Sequence, residues 1–504
     1  MDTNLPEPAE QLPTPLLSAL LKHARSGRQR WHMPGHLGGL AWPAGLAENL
    51  AAIDVTELPG TDDLNHPAGV AQQAMELAAA AFGAGHSRLL TGGSTLGLQV
   101  LLALAVGRGG SLLVSRTCHQ AVVHAAALLD IQLCLLTQTG ELPPDLSRFS
   151  LFPQATAADV IRDLERHPRC RTVLLTSPDY YGSCAELAAI AEAVHARGAC
   201  LLVDEAHGAH LAFAPGVLPA AALAAGADAC VQSGHKTLPV LTGGAWLHLG
   251  REALASGRLD AAALTRLIPV FQTSSPSFPI AASLDLARQL MALTGSRQIR
   301  LQLEHLEWLR QSLPDWLACL PSRRGAEPLA RDPLRLVLTA RDSRQVAAMP
   351  ALARHLSADG IDIEFADLTR LVLIPSLWQS SANWQLLSDS LHRFPVPSAG
   401  GLADASSQLQ ELETRWLRQL DKTGLSFRVS PGDALLAPGV RASCRLETAA
   451  GRAAAQALVP YPPGIPLVWP GEVLTPDRVD FLRRLLDNNI SINGIDAGNV
   501  QVLA

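Results

Sequence analysis

The chain is predicted to be an α/β protein, and three features carry that prediction. Between about residues 70 and 290, short β-branched or leucine-rich runs alternate with alanine-rich stretches of helical spacing, the pattern of a parallel sheet covered by helices on both faces. Each apolar run ends in small or polar residues. The length of 504 residues with 48% hydrophobic content suffices to bury two or three cores without disulfide support.

In chain order, strands are predicted at Leu112–Ser115, Thr172–Thr176, Cys200–Asp204, Ala229–Gln232 and Ala245–His248. Within AELAAIAEAVHARGA, Glu186–Ala196 places apolar residues at helical spacing and stops at a glycine. Residues 291–395 mix helix and strand signals. PVPSAGGLADASSQ, at 395–408, has the composition of a linker before a final α/β segment that closes around VPYPPGIPLVWPGE. The expected division is an N-terminal arm at 1–50, a large domain at 51–290, a small α/β domain at 291–395 and a C-terminal domain at 396–504, with no internal repeat.

Composition narrows the function classes. Forty basic residues against 46 acidic ones give a net charge of −6, which argues against a polyanion-binding surface and therefore against nucleic acid as the partner. The eight cysteines form no CxxC pair, so neither a zinc framework nor a disulfide scaffold is signalled. MDTNLPEPAEQLPTP carries acids and prolines where a secretory leader has basic residues and an apolar block, and no uncharged apolar run reaches roughly 18 residues. A reduced, cytoplasmic setting is expected, with no membrane association.

In an open parallel sheet, ligands bind beyond the carboxyl ends of the strands, and four stretches fall there. In VQSGHKTLPVLTGGAWLH, Lys236 follows an apolar strand. Such a lysine snorkels to water, pairs with an acid, or is held near neutrality for chemistry; Ser233, His235 and Thr237 around it suit the third case and an adjacent phosphate. A Walker A loop is poorly matched, since His235 separates Gly234 from Lys236 and Ala229 stands five residues before Gly234. In LLTGGSTLGLQVLLALAV, a strand-like pair of leucines leads through Gly92, Gly93, Ser94 and Thr95 into a helix whose first N–H groups attract phosphate, although such turns also serve as plain caps.

In LLVDEAHGAH, Asp204 ends an apolar strand, where it can bind a metal, cap a turn or pair with a buried cation. Paired with a pyridinium nitrogen at about 4 Å and an effective dielectric near 20, it contributes on the order of 4 kcal/mol, or about three pKa units. A zinc site using His207 and His210 lacks the HExxH order and a third ligand. In SRTCHQAVVHA, His119 either stacks on a cofactor ring or is a partly buried histidine satisfied by backbone groups.

Taken in order, TGGST, RTCHQ, TSPDYYG, VDEAHGAH, SGHKT and QTSSPSFPIAASLDLAR resemble the ornithine/lysine/arginine decarboxylase family of pyridoxal-phosphate enzymes, with the aspartate-aminotransferase fold. WHMPGHLGG, DVTELPGTDDLNHPAG and YPPGIPLVWPGE extend the resemblance from about residue 30 to near the end. It implies a large domain with a parallel-rich sheet and smaller α/β C-terminal domains. It also implies that Lys236 holds pyridoxal phosphate as an imine, that Asp204 pairs with the pyridine nitrogen and that His119 stacks over the ring.

Gly93, Ser94, Thr95, Ser233 and His235 match positions that hold the phosphate, Ala206 and His207 join the cofactor site, and no metal is implied. Ser274 or Ser275 is implied to reach the neighbouring subunit's site, so that a homo-oligomer built on a dimer is needed for activity. The implied reaction is decarboxylation of a basic amino acid in polyamine metabolism, with arginine to agmatine ahead of lysine to cadaverine and ornithine to putrescine. Transamination, aldol-type or oxidative chemistry on the same cofactor, and a non-catalytic relative, are the alternatives.

Two departures stand out: Leu37 where a lysine is common, and Gly234 where others often have threonine. The motifs begin near residue 30 with no receiver-like wing domain ahead of them, as in the shorter members. For the distal cation of the substrate, the acids available are Asp62, Asp63 and Glu472, each of which also fits a solvated surface.

Overall fold

The computed structural model describes residues 14–139, 148–319, 331–421, 427–439, 441–461 and 464–503. Most of the expected arm is included, but its first thirteen residues lie outside this set, as do two prolines, 462 and 463, of the YPPGIPLVWPGE stretch. Eight strands precede residue 250: β1 (Gln29–Trp31), β2 (His86–Leu90), β3 (Ser111–Ser115), β4 (Gln132–Leu136), β5 (Thr172–Thr176), β6 (Cys200–Asp204), β7 (Ala229–Ser233) and β8 (Ala245–Leu249). The five predicted strands are therefore present, each within one residue of its expected ends, and the predicted helix runs over Leu187–His195.

β2 to β8 form one seven-stranded sheet in the order β2-β8-β7-β6-β5-β3-β4. Alternate residues serve opposite faces. Leu112, Val114, Leu174, Leu202, Val231 and Leu247 join one core with Leu98, Val122 and Ile268 of the helices Gly93–Ala105, Gln120–Leu129 and Ala261–Phe271. Leu113, Val173, Leu175, Leu201, Val203 and Cys230 join another with Val160, Ile190 and Val194. Burial on both faces explains why these strands read as unbroken apolar runs instead of alternating ones.

The sheet is not wholly parallel. β8 pairs antiparallel with both β7 and β2, because the chain returns from β7 through only eleven residues, too few for a helical crossover. β4, with its exposed Gln132, gave too weak an apolar signal to be placed in advance.

The expected linker at 395–408 is corrected by the structure. Residues from Ala399 to Asp421 form one helix. Its glycines are offset by tertiary contacts, with Leu412 and Trp416 buried and the Ser406 hydroxyl donating to the Arg344 carbonyl at 2.8 Å. A smaller antiparallel sheet, β9 (Leu317–Cys319), β10 (Leu336–Ala340), β12 (Phe365–Ala366) and β13 (Arg370–Leu373), lies beyond the long helix Phe278–Gln311, while β11 (Ile361–Ile363) pairs in parallel with β1 from the N-terminal arm. No helix among the described residues is long and apolar enough to cross a membrane.

The C-terminal part is tied to the large sheet by a buried ion cluster. Arg116, just after β3, donates to Glu472 Oε2 at 2.6 Å and to the Leu467 carbonyl at 3.0 Å, and its guanidinium lies 5.0 Å from the centre of the Trp469 ring. Arg478 approaches the other oxygen of Glu472 at 3.4 Å. Burial alone would raise the Glu472 pKa, but the two guanidinium charges overcome this and hold it below its ordinary value.

Removing the carboxylate leaves the buried Arg116 without its counter-charge, so Glu472→Gln is expected to cost about 3–5 kcal/mol in denaturant unfolding. Because the folded pKa is depressed, this contribution is present above the ordinary carboxylate range and lost as pH falls through the folded value. The stability difference between wild type and variant should therefore shrink on acidification.

Candidate active site

The site is assembled at the carboxyl ends of adjacent strands. Asp204 closes β6 and Ser233 closes β7, whose register pairs Asp204 with Val231. After Ser233 the chain makes a single helical turn, Gly234–Thr237, that swings Lys236 back over the strand ends. Gly234 is required by packing: a Cβ there would lie 2.8 Å from the Trp246 ring and 2.9 Å from Val240, so the threonine of other sequences has no room in this setting.

Lys236 Nζ lies 3.0 Å from His207 Nε2 and 5.9 Å from the centre of the Tyr180 ring. Burial lowers its pKa to about 8, with Arg335 adding to the effect and Asp204 and Glu364 opposing it. Asp204, 3% exposed, accepts one hydrogen bond, from the Ala206 N–H at 3.1 Å. Its pKa is raised by burial despite the Lys236 charge. A buried carboxylate with spare acceptor capacity, facing an amine of lowered pKa, is suited to a further cationic N–H between them.

Beside this pair, the helix Gly93–Ala105 begins at Gly92 with no side-chain cap. Gly93 takes a positive φ of 74° and donates to the Gly243 carbonyl at 2.7 Å, while Ser94 Oγ accepts from Ser233 Oγ at 2.8 Å. Thr95 is exposed on the same first turn. His235 Nδ1 lies 3.2 Å from the Gly244 carbonyl, and the buried Thr237 hydroxyl has no partner among the described residues. Uncapped helix N–H groups flanked by hydroxyls form a ready anion cradle.

His119 caps the helix Gln120–Leu129, its Nδ1 accepting from the Ala121 N–H at 3.2 Å, and its ring is open to solvent within electrostatic reach of Lys236. The structure therefore gathers His119, Asp204, Ala206, His207, Ser233, His235 and Lys236, with Gly93, Ser94 and Thr95 at the neighbouring helix start. Ser274 and Ser275 are instead exposed on the loop before the helix Phe278–Gln311. The zinc alternative loses its ligands, because His207 faces Lys236 and Arg335 while His210 lies 3.1 Å from Asp332.

The three acids considered for a distal cation are otherwise engaged. Asp62 accepts from the N–H groups of Asp63, Ala68, Gly69 and Ala71 at the start of the helix Val70–Phe82. Asp63 binds the Asn65 N–H and His66, and Glu472 belongs to the arginine cluster.

Sequence reasoning missed Tyr180, Arg335 and Glu364. Tyr180 packs at a tilt against His207, with ring centres 4.6 Å apart and planes at 57°, and donates to Glu364 Oε1 at 3.2 Å. It sat inside a quoted motif, whereas Arg335 and Glu364 carried no local signal. The N-terminal arm also covers the lysine turn. Gly35 donates to the His235 carbonyl at 3.0 Å, and a Cβ on it would lie 2.8 Å from the Leu238 carbonyl oxygen. Leu37, where a lysine is common, is buried.

Comparison with known proteins agrees with this arrangement. The major-domain profile of the Orn/Lys/Arg decarboxylases matches residues 14–320, and their C-terminal-domain profile matches residues 428–497. The chain is 32% identical to the Bacillus subtilis protein YaaO over 95% of its own length and 96% of that protein. It is 28% identical to arginine decarboxylase of Bacillus anthracis over 98% and 97% of the two chains. With lysine decarboxylase LdcA of Pseudomonas aeruginosa the identity is 25% over 94% and 75%.

Among solved structures, lysine decarboxylase A from Pseudomonas aeruginosa superposes with a TM-score of 0.75 at 22% identity, covering 98% of this chain and 81% of that one. Serine palmitoyltransferase from Sphingomonas wittichii superposes with a TM-score of 0.52 at 16% identity, covering 76% and 88%, which places the α/β fold among these transferases as well. Both of the family's domains are thus recognised in their expected order around the Lys236 turn, and the chain belongs to the Orn/Lys/Arg decarboxylase family.

Proposed function

We propose that the protein is a pyridoxal-phosphate-dependent decarboxylase of a basic amino acid, with arginine as the first substrate and lysine and ornithine next. The observation that carries this reading is the Lys236 amine, its pKa lowered to about 8, facing a buried carboxylate with acceptor capacity to spare. The residues fit the cofactor: an amine for its aldehyde, Asp204 for its ring nitrogen, an uncapped helix start with Ser94 and Ser233 for its phosphate, and the open His119 ring for its face. When bound, the cofactor supplies an electron sink for the bond that leaves Cα.

The chain's own residues do the rest. With the cofactor bound, Lys236 would hold its aldehyde group and, once released, would be the nearest base or acid for a proton at Cα. Asp204 would pair with the ring nitrogen and favour its protonated form, and His119 would lie against the ring and help to orient the bond that breaks. The exposed Ser274 and Ser275 fit a role at the site of a second copy, so that a dimer is the working unit. Arginine is placed first because relatives named arginine decarboxylase align at 28% identity and span nearly their whole length, against 25% for LdcA over three quarters of its own. Conversion of arginine to agmatine would place the enzyme in polyamine metabolism, in the cytoplasm.

Incubation of the purified protein with arginine, lysine and ornithine should release carbon dioxide and the matching amine from at least one. Absence of amine from all three, or a keto acid in its place, would refute the reading. Borohydride should fix the cofactor on Lys236, as read by peptide mass spectrometry, and Lys236→Ala should abolish both the adduct and turnover. Asp204→Asn is expected to lower turnover roughly a thousandfold by removing an ion pair worth on the order of 4 kcal/mol. In cofactor-free protein, recombination should accelerate about tenfold from about pH 7 to pH 9, as the amine of lowered pKa loses its proton.

A further inference from the structure

Arg335 lies immediately behind the histidine that faces Lys236. Its Nη2 is 3.2 Å from His207 Nδ1, and on the other edge of the same ring His207 Nε2 is 3.0 Å from Lys236 Nζ. Both residues are buried, Arg335 at 3% and His207 at 4% exposure, and the Nε and Nη1 of Arg335 have no partner among the described residues. Close packing holds the root of this side chain: Gly182 takes a positive φ of 89°, and a Cβ there would lie 2.7 Å from the Arg335 Cβ.

A guanidinium has donors and no acceptor. Its N–H against Nδ1 therefore requires a lone pair on that nitrogen, and the single proton of the neutral ring must sit on Nε2. A doubly protonated ring would set N–H against N–H. Burial and the charges of Lys236 and Arg335 also hold the His207 pKa well below its ordinary value. The Nε2–H points at Lys236 Nζ, and an ammonium has no lone pair with which to accept it.

We propose that Arg335 is a positioning residue, which locks His207 in the Nε2–H tautomer and so turns the ring's lone pair away from Lys236, favouring the amine over the ammonium for its covalent bond. What the amine is used for rests on the proposed function; the tautomer does not.

The groups facing Lys236 are Asp204 at the end of β6, Glu364 between β11 and β12, Arg335 just before β10, the imidazoles of His119, His207 and His235, and the Tyr180 ring. Asp204 and Glu364 favour the ammonium. Arg335 disfavours it directly by charge as well as through the ring, so a change in Lys236 basicity does not separate the two routes, whereas the ring nitrogens do.

The test is NMR of isotope-labelled histidine nitrogens in the protein as purified, with His207 assigned by the signals lost in His207→Gln. The expected result is an unprotonated Nδ1 and a protonated Nε2, unchanged between about pH 5 and 8. Arg335→Met should lose this fixed pattern, populating the Nδ1–H form or titrating, and Arg335→Lys, which keeps a charged donor, should retain it. A protonated Nδ1 in the wild type, or an unchanged pattern in folded Arg335→Met, overturns the proposal; if that variant does not fold, the wild-type pattern decides. Failure to find a cofactor adduct on Lys236 would remove the proposed function and leave the ring pattern untouched.

Discussion

Burial of the Lys236 side chain at the carboxyl ends of β6 and β7 penalises its ammonium form, and the surrounding residues are arranged in relation to that penalty. Two carboxylates, Asp204 and Glu364, pull the proton onto the amine, while the enclosure and the Arg335 cation push it off. The balance leaves the amine near the midpoint of its titration at neutral to mildly alkaline pH, where it is both nucleophilic and able to carry a proton. Were the lysine simply solvated, or tightly paired to one acid, neither property would hold.

Keeping water away from this amine falls to segments distant in the chain. The arm crosses the lysine turn at Gly35, whose carbonyl accepts from the Ser376 hydroxyl at 2.6 Å, and Trp42 donates to the Pro239 carbonyl at 2.8 Å. β1 then continues into a parallel pair with β11, which leads directly to Glu364. Glu364 in turn accepts from the Met33 N–H at 3.0 Å. Arm, lysine turn and smaller sheet therefore share hydrogen bonds around one side chain, and a shift in any of them changes the environment that sets its proton affinity.

The Arg116, Glu472 and Arg478 cluster shows the opposite use of burial. There two desolvated guanidinium groups share one carboxylate, and the result is a tie between the β3 end and the C-terminal segment instead of a reactive group. The contrast lies in the number of partners: Glu472 is bracketed by two guanidinium groups and the Trp469 N–H, while Asp204 has one backbone donor and room for another. Unfilled acceptor capacity is what distinguishes a carboxylate available for a ligand from one spent on the fold.

The sequence alone determined the α/β class, the five strands it marked and the short-range geometry of the site, because apolar runs bounded by Asp204 and Ser233, and a glycine-rich start of the helix Gly93–Ala105, are set by neighbours a few residues apart. The comparisons then placed the family on motifs already visible in that order. Only the tertiary structure decided that β8 runs antiparallel, that residues 399–421 are helix and not linker, that Glu472 belongs to an ion cluster, and that Arg335 and Glu364 face Lys236. Each of these depends on contacts between residues roughly sixty or more positions apart, or on how a connection closes in space, and such contacts leave no periodic or compositional trace in the chain that makes them.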